Sequence, residues 1–304
     1  MKPDGSLADG CRASCMLAKG KPHKPLVRST AAFYLHPMIG TLTLSEINVY
    51  PIKSLRGISV THARVKQKGL EFDRRWMLID ANSQAMTQRA YPQLAFFVPE
   101  IHDGTLRICY TPHQDFIDFP VDSREGDSMP ASIWNDVVSI VEVSSPVSAW
   151  FSAKLGMSCR LVAFPEPNAR PIDPRYARPD ANVSLADAYP FLLIGQASLD
   201  DLNSRLVEPV PMNRFRPNFV VSGAAPFAED DWKTVSIGGV SFAVVKPCDR
   251  CVMTTIDQDT ARKGTEPLRT LASYRRRDNG VFFGQNLIGL AEGEIKLGAT
   301  VIPL

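Results

Sequence analysis

The sequence predicts a mainly β protein of barrel-like sheets with a few helices, and three observations predict it. Short runs rich in β-branched and aromatic residues recur from Leu42 onward. Turn residues such as Lys68-Gly69, Asn82-Ser83 and Asp103-Gly104 separate them, and only a few stretches carry helix signals. Many short strands punctuated by turns suit a barrel or sandwich; a doubly wound sheet would alternate its strands with long helices.

In chain order, residues 1–40 are mixed, basic and irregular, and are expected to form a disordered extension in which Met38 is a candidate start. Strands are expected over Leu44–Tyr50, Val60–Lys66, Trp76–Asp80, Leu106–Tyr110, Phe116–Phe119 and Val137–Val143. A helix is expected over Val147–Leu155, because Gly156 follows where a helix C-terminus favours a residue free to adopt positive φ. The Pro- and Arg-rich stretch Pro165–Pro190 reads as a connection or an active-site loop that shapes substrate entry.

Ser198-Leu-Asp-Asp201 fits a helix start, with the Ser198 hydroxyl serving a free first-turn N–H, and the helix should run through Leu199, Leu202 and Leu206. Phe219–Ser222 is the next strand. Val235–Val244 then reads as a hairpin, since Gly238-Gly239 can adopt the positive φ of a tight turn. Its second arm leads into Lys246-Pro-Cys-Asp-Arg-Cys251. A helix over Pro267–Arg277, with Pro at its start and Arg at its end, and strands over Leu287–Leu290 and Glu294–Leu304 complete the chain.

Composition narrows the function classes. With 304 residues, 44% of them hydrophobic and 22% charged, the chain can bury an ordinary enzyme core. A net charge of +2 predicts no nucleic-acid partner, while leaving room for a local cationic pocket for one small anion. No apolar run reaches the roughly 18 residues of a membrane span, so no membrane partner is expected. No secretory signal stands at the start. Six cysteines form no dense disulfide framework, and a reducing cytoplasm is the expected location.

The C-x-x-C of Cys248 and Cys251 admits several readings. A zinc half-site needs a second ligand pair, and the other close pair, Cys11 and Cys15, lies in the irregular extension. A thioredoxin-like redox pair should open a helix, whereas Val252-Met-Thr-Thr-Ile256 looks β-like. A single thiolate ligand for a soft metal centre is the third reading, with Lys246 and Arg250 as charges that favour ionised sulfur. Two buried structural cysteines are the fourth. Lys53, Arg74, Arg75 and Arg216 stand at expected strand ends. Each could be a solvated surface charge, yet strand ends are where barrels place sites, and a phosphate-bearing group needs such cations. No Ser/His/Asp arrangement supports hydrolysis, and the five His residues show no ligand-like spacing.

Several segments taken together settle the choice differently from any one alone. Tyr50-Pro-Ile-Lys-Ser54, Gly69-Leu-Glu-Phe-Asp-Arg74, Phe215-Arg-Pro-Asn-Phe-Val-Val-Ser-Gly223, Lys246-Pro-Cys-Asp-Arg-Cys251 with Thr254-Thr-Ile-Asp257, and Phe283-Gly-Gln-Asn286 resemble the MOSC-domain family. The likeness is greatest to its YcbX-like and amidoxime-reducing members, and it runs from about Leu42 to Leu304. The resemblance implies an N-terminal MOSC-type β-barrel domain over 41–165, a MOSC β-barrel domain over 166–304, and a molybdenum cofactor (Mo-molybdopterin) between them.

It further implies Cys251 as the catalytic metal ligand, and Lys53, Ser54, Arg74, Ser198, Arg216, Asn218 and Asp257 as cofactor-binding residues. Cys248 receives no role. The implied activity is reduction of N-hydroxylated or N-oxidised small molecules. YcbX-like proteins can carry a C-terminal ferredoxin domain with C-x4-C-x2-C spacing. That spacing is missing here, so a separate electron donor is expected: a ferredoxin, a haem protein or a flavin reductase. MOSC domains also occur in molybdenum-cofactor sulfurases, which gives a sulfur-transfer or cofactor-carrier alternative through Cys251. Pyridoxal phosphate binding attaches to the family only through those sulfurases, and this chain shows no domain for it.

Overall fold

A computed structural model describes residues 41–176 and 181–304, and the expected N-terminal extension lies outside them. The described chain is mainly β. Its largest sheet has nine strands, in the order Val301–Pro303, Thr234–Ile237, Val240–Asp249, Gly280–Gly289, Phe191–Gly195, Phe219–Ser222, Thr43–Val49 and Ile58–Ser59, with Arg276–Arg277 paired to Gly280–Gly289. The ladder does not close, but the edge beside Val301–Pro303 returns to the first strand. There a lone bridge joins Thr43 to Thr300, and Leu44 N donates to Ala299 O at 2.9 Å. The expected barrels are therefore open sheets.

Aromatic packing fixes this sheet. Phe191, Phe219 and Phe242 are fully buried, with ring centres 5.2–5.5 Å apart. Truncating one such ring costs ~3–5 kcal/mol, because the cavity it leaves collapses only in part. The Gly238-Gly239 hairpin turns as its sequence requires, with φ of 56° and 89°.

A four-stranded sheet joins Trp76–Asp80, Cys159–Ala163, Asp136–Glu142 and Glu125–Ile133, and a three-stranded one joins Phe97–His102, Thr105–Tyr110 and Asp115–Pro120. The two halves of the sequence also exchange strands. Thr43–Val49 pairs with Phe219–Ser222, and Gly293–Lys296 pairs with His62–Lys66. Residues from both halves are thereby brought to one place.

The α-helices among the described residues are α1 (Ser145–Leu155), α2 (Gln196–Ser204) and α3 (Leu268–Tyr274). Ser144 caps α1 by accepting from Val147 N, and Gly156 ends it at φ 68°. Ser198 is not the start of α2. Gly195 holds the N-cap position, and the helix has already begun at Gln196. It stops at Ser204, short of Leu206, where Arg205 N turns back to Leu202 O. Helix α3 also stops early, because Arg275 Nε donates to Phe282 O and the chain becomes the short strand Arg276–Arg277.

Two further readings need correction. Val252–Thr255 is a 3-10 turn, not a strand; the hydroxyls of Thr254 and Thr255 donate to the carbonyls of Cys251 and Val252, a local alternative to a ladder. Glu294–Leu304 is two strands, broken where Gly298 takes φ 79°.

Candidate functional site

A cavity of about 260 Å³ opens where the loops after the first strand, before Phe191, before Phe219 and after Val240–Asp249 converge. Its lining contains seven cations, Lys53, Arg74, Arg89, Arg214, Arg216, Lys246 and Arg250, against two acids, Asp187 and Asp249. In a chain whose formal charge is only +2, that excess is a local feature and suits a multiply charged anion.

The floor is held by the segments around Tyr50. The guanidinium carbons of Arg74 and Arg216 each lie 4.3 Å from the centre of the Tyr50 ring. Tyr50 Oη donates to Pro217 O, and burial pushes its pKa up to about 12. Arg216 Nη1 donates to Leu55 O at 2.6 Å; burial, and then the charge of Arg74, bring its pKa down to about 10. Arg74 Nη1 bridges the buried Asp73 carboxylate at 2.7 Å and Asn218 Oδ1 at 3.2 Å. Ser54, Arg74 and Arg216 have φ of 64°, 49° and 56°. Non-glycine residues resist this left-handed region, and such strain gathers at functional sites where the surroundings over-determine it.

Lys53 is almost fully buried and donates to Leu185 O and Asp187 Oδ1. Burial lowers its pKa, with Asp187 opposing. Half of the Asp187 side chain faces solvent. Crowding by protein would raise its pKa, but Lys53, the Trp134 indole N–H and Arg89 outweigh that and hold it well below the usual carboxylate range. The Pro- and Arg-rich stretch supplies this loop's anchor. Arg170, buried, donates to the carbonyls of Ser184, Ala186 and Asp187 and pairs with Asp136.

At the rim, Cys251 is exposed at the head of the 3-10 turn. The charges near the two sulfurs differ from the expected ones. Arg250 Nη1 donates to Cys248 Sγ at 3.0 Å, while Arg89 Nη1 lies 3.8 Å from Cys251 Sγ. Arg250 Nη2 donates to Phe215 O, and its Nε is buried without a partner. Lys246 Nζ sits 5.0 Å from the Tyr176 ring centre.

Of the residues expected at the site, Lys53, Ser54, Arg74, Arg216, Asn218 and Cys251 line one cavity. Ser198 and Asp257 do not. Ser198 is fully buried, donating to Glu229 Oε1 and accepting from Phe227 N. Asp257 accepts from Thr260 and holds Arg214 Nη1 at 3.1 Å, so it reaches the cavity only through that arginine. Asn218 lines the wall, but its amide is engaged by Asn48 O, Asp73, Leu192 N and Arg74. Sequence reasoning missed Arg89, Asp187 and Arg214. Arg214 stands two positions before Arg216, a spacing that could have flagged it; nothing local marks Arg89.

Among the described residues, no group of three or more His, Cys, Asp or Glu side chains gathers as a metal site. A metal held at Cys251 would bring most of its ligands with it. One accessible thiol, a cationic cradle and an unpaired arginine N–H fit an anionic, metal-bearing cofactor.

The family model described as MOSC N-terminal beta barrel domain matches residues 41–158, and that described as MOSC domain matches residues 180–302. The chain is similar to mitochondrial amidoxime-reducing component 1 of Mus musculus, at 37% identity over 85% of this chain and 81% of that protein. It is also similar to molybdenum cofactor sulfurase of Oryza sativa subsp. japonica, at 31% identity over 84% of this chain but 34% of the relative. A solved structure, the YUAD protein of Bacillus subtilis, aligns over 86% of this chain at 9% identity with a TM-score of 0.38.

Proposed function

The chain belongs to the MOSC-domain family, and on that premise we propose that it reduces N-hydroxylated or N-oxidised small molecules, using a molybdenum cofactor held through Cys251 and electrons from a separate donor. The observation that carries the reading is the single exposed thiol at the mouth of a cavity lined by seven cations. The name of the similar amidoxime-reducing component supports the substrate class.

Lys53, Ser54, Arg74 and Arg216 would hold the phosphate-bearing end, Arg250 Nε offers a free donor, and Cys251 Sγ is the soft ligand. When bound, the cofactor supplies the two-electron chemistry that removes oxygen from nitrogen. The chain's own residues keep the cradle cationic, fix Asp187 between Lys53 and Arg89, and hold Arg89 beside the reactive sulfur. The donor is expected to be a ferredoxin, a haem protein or a flavin reductase. A cytoplasmic location belongs to the same proposal; no helix among the described residues is long and apolar enough to cross a membrane.

Sulfur transfer is the second reading, favoured by the match to the sulfurases and by the exposure of Cys251, which would suit a persulfide. Turnover separates the two. With an artificial electron donor, the molybdenum-loaded protein should reduce an amidoxime to the amidine. Failure on a panel of N-hydroxylated compounds, with molybdenum present, would sink the reductase reading.

A further inference from the structure

Trp134 sits where a glycine belongs. It is the first of two residues in the turn between Glu125–Ile133 and Asp136–Glu142, closed by the pair Ile133 and Asp136, and its φ is 57°. Two-residue hairpins place Gly, Asn or Asp at such positions, and a bulky side chain there is strained. Trp134 is also 58% exposed, so it stabilises no core. Strain and exposure together leave its position without a folding rationale.

Its neighbours give it one. The Arg89 guanidinium carbon lies over one face of the ring, 4.2 Å from its centre, and Nη1 of the same guanidinium is 3.8 Å from Cys251 Sγ. The ring centre is therefore within about 9 Å of the sulfur, given a guanidinium C–N bond of ~1.3 Å. The indole N–H donates to Asp187 Oδ1 at 3.1 Å, which fixes the ring's angle. Val252, next in the chain to Cys251, is 55% exposed.

We propose that Trp134 is a specificity-determining residue: a stacking shelf that selects N-hydroxylated substrates whose reacting group is joined to a planar aromatic ring. This rests on the reductase reading. A ring held against indole gains ~0.5–1.5 kcal/mol beyond area burial, and 1.4 kcal/mol is about tenfold in specificity.

Benzamidoxime and acetamidoxime carry the same reacting group with and without a ring. The ratio of their kcat/KM values should fall about tenfold in Trp134→Gly, which suits the turn, with the change in KM for benzamidoxime. Trp134→Phe should keep most of the ratio although it loses the bond to Asp187. A ratio unchanged in Trp134→Gly, or lost equally in Trp134→Phe, overturns the shelf. Quenching of tryptophan fluorescence by benzamidine on the cofactor-loaded protein decides independently of turnover. Quenching that vanishes in Trp134→Phe, with no reduction of either amidoxime, supports the shelf and rejects the reductase reading; no Trp134-dependent quenching rejects the shelf.

Discussion

At the floor of the cavity Arg216 is 8% exposed, strained at φ 56° and bonded to Leu55 O, with Tyr50 against its guanidinium; at the rim Cys251 is exposed and Arg89 only brushes its sulfur at 3.8 Å. The floor spends backbone strain and buried charge to hold cations still before any ligand arrives. The rim leaves its thiol open. Preorganised charge below and accessible chemistry above are what an anionic cofactor with a reacting end requires. Substitutions should therefore behave differently in the two places: floor changes should be felt in folding and in cofactor retention together, rim changes in turnover.

The largest effect is expected at the rim sulfur. Cys251→Ala should drop amidoxime reduction to background, while Cys248→Ala, whose sulfur faces Arg250, should retain much of it. The opposite ranking in a turnover assay would overturn the ligand assignment. Next comes the floor. Arg216→Ala removes a buried cation and leaves Leu55 O without its donor, so it should cost ~2–4 kcal/mol in denaturant unfolding. Lys246→Ala, at the rim, should cost under ~0.5 kcal/mol.

Ser54→Gly sharpens the contrast in the other direction. It relieves a positive φ, so it should raise stability by ~0.5–1 kcal/mol while weakening cofactor retention. A Ser54→Gly protein that is less stable would remove strain from the account.

The smallest effect is a pH dependence. Folded Asp187 gives up its proton more readily than an unfolded carboxylate near pKa 3.9. Its contribution is whole above about pH 4 and fades as pH falls toward the folded value, because the unfolded chain takes up the proton first. The acid limb of the stability curve should be shallower in Asp187→Asn; an identical limb would show that Asp187 is not held by Lys53 and Arg89.

How much of this could be read in advance depends on how local its cause is. The end of α1 at Gly156 and the Gly238-Gly239 turn were legible, because each follows from a residue's own φ preference. The cradle of Lys53, Arg74 and Arg216 was legible through motif resemblance. Arg89 and Asp187 were not: Arg89 meets Cys251 across 162 positions, and only the folded sheets bring them together. Val252–Thr255 misled because β-branched residues suggest a strand, while two threonine hydroxyls captured neighbouring carbonyls. Ser198 misled because a helix-start pattern can lie inside a helix, three residues past the N-cap Gly195. Trp134 gave no warning, since its strain is visible only in the turn.

The central claim meets its most direct test in elemental analysis of the full chain purified from cells able to make the pterin. About one molybdenum per chain in the wild type, with markedly less in Arg216→Ala, is the expected result. Wild-type protein free of molybdenum would contradict it, and the cationic floor would then need another ligand.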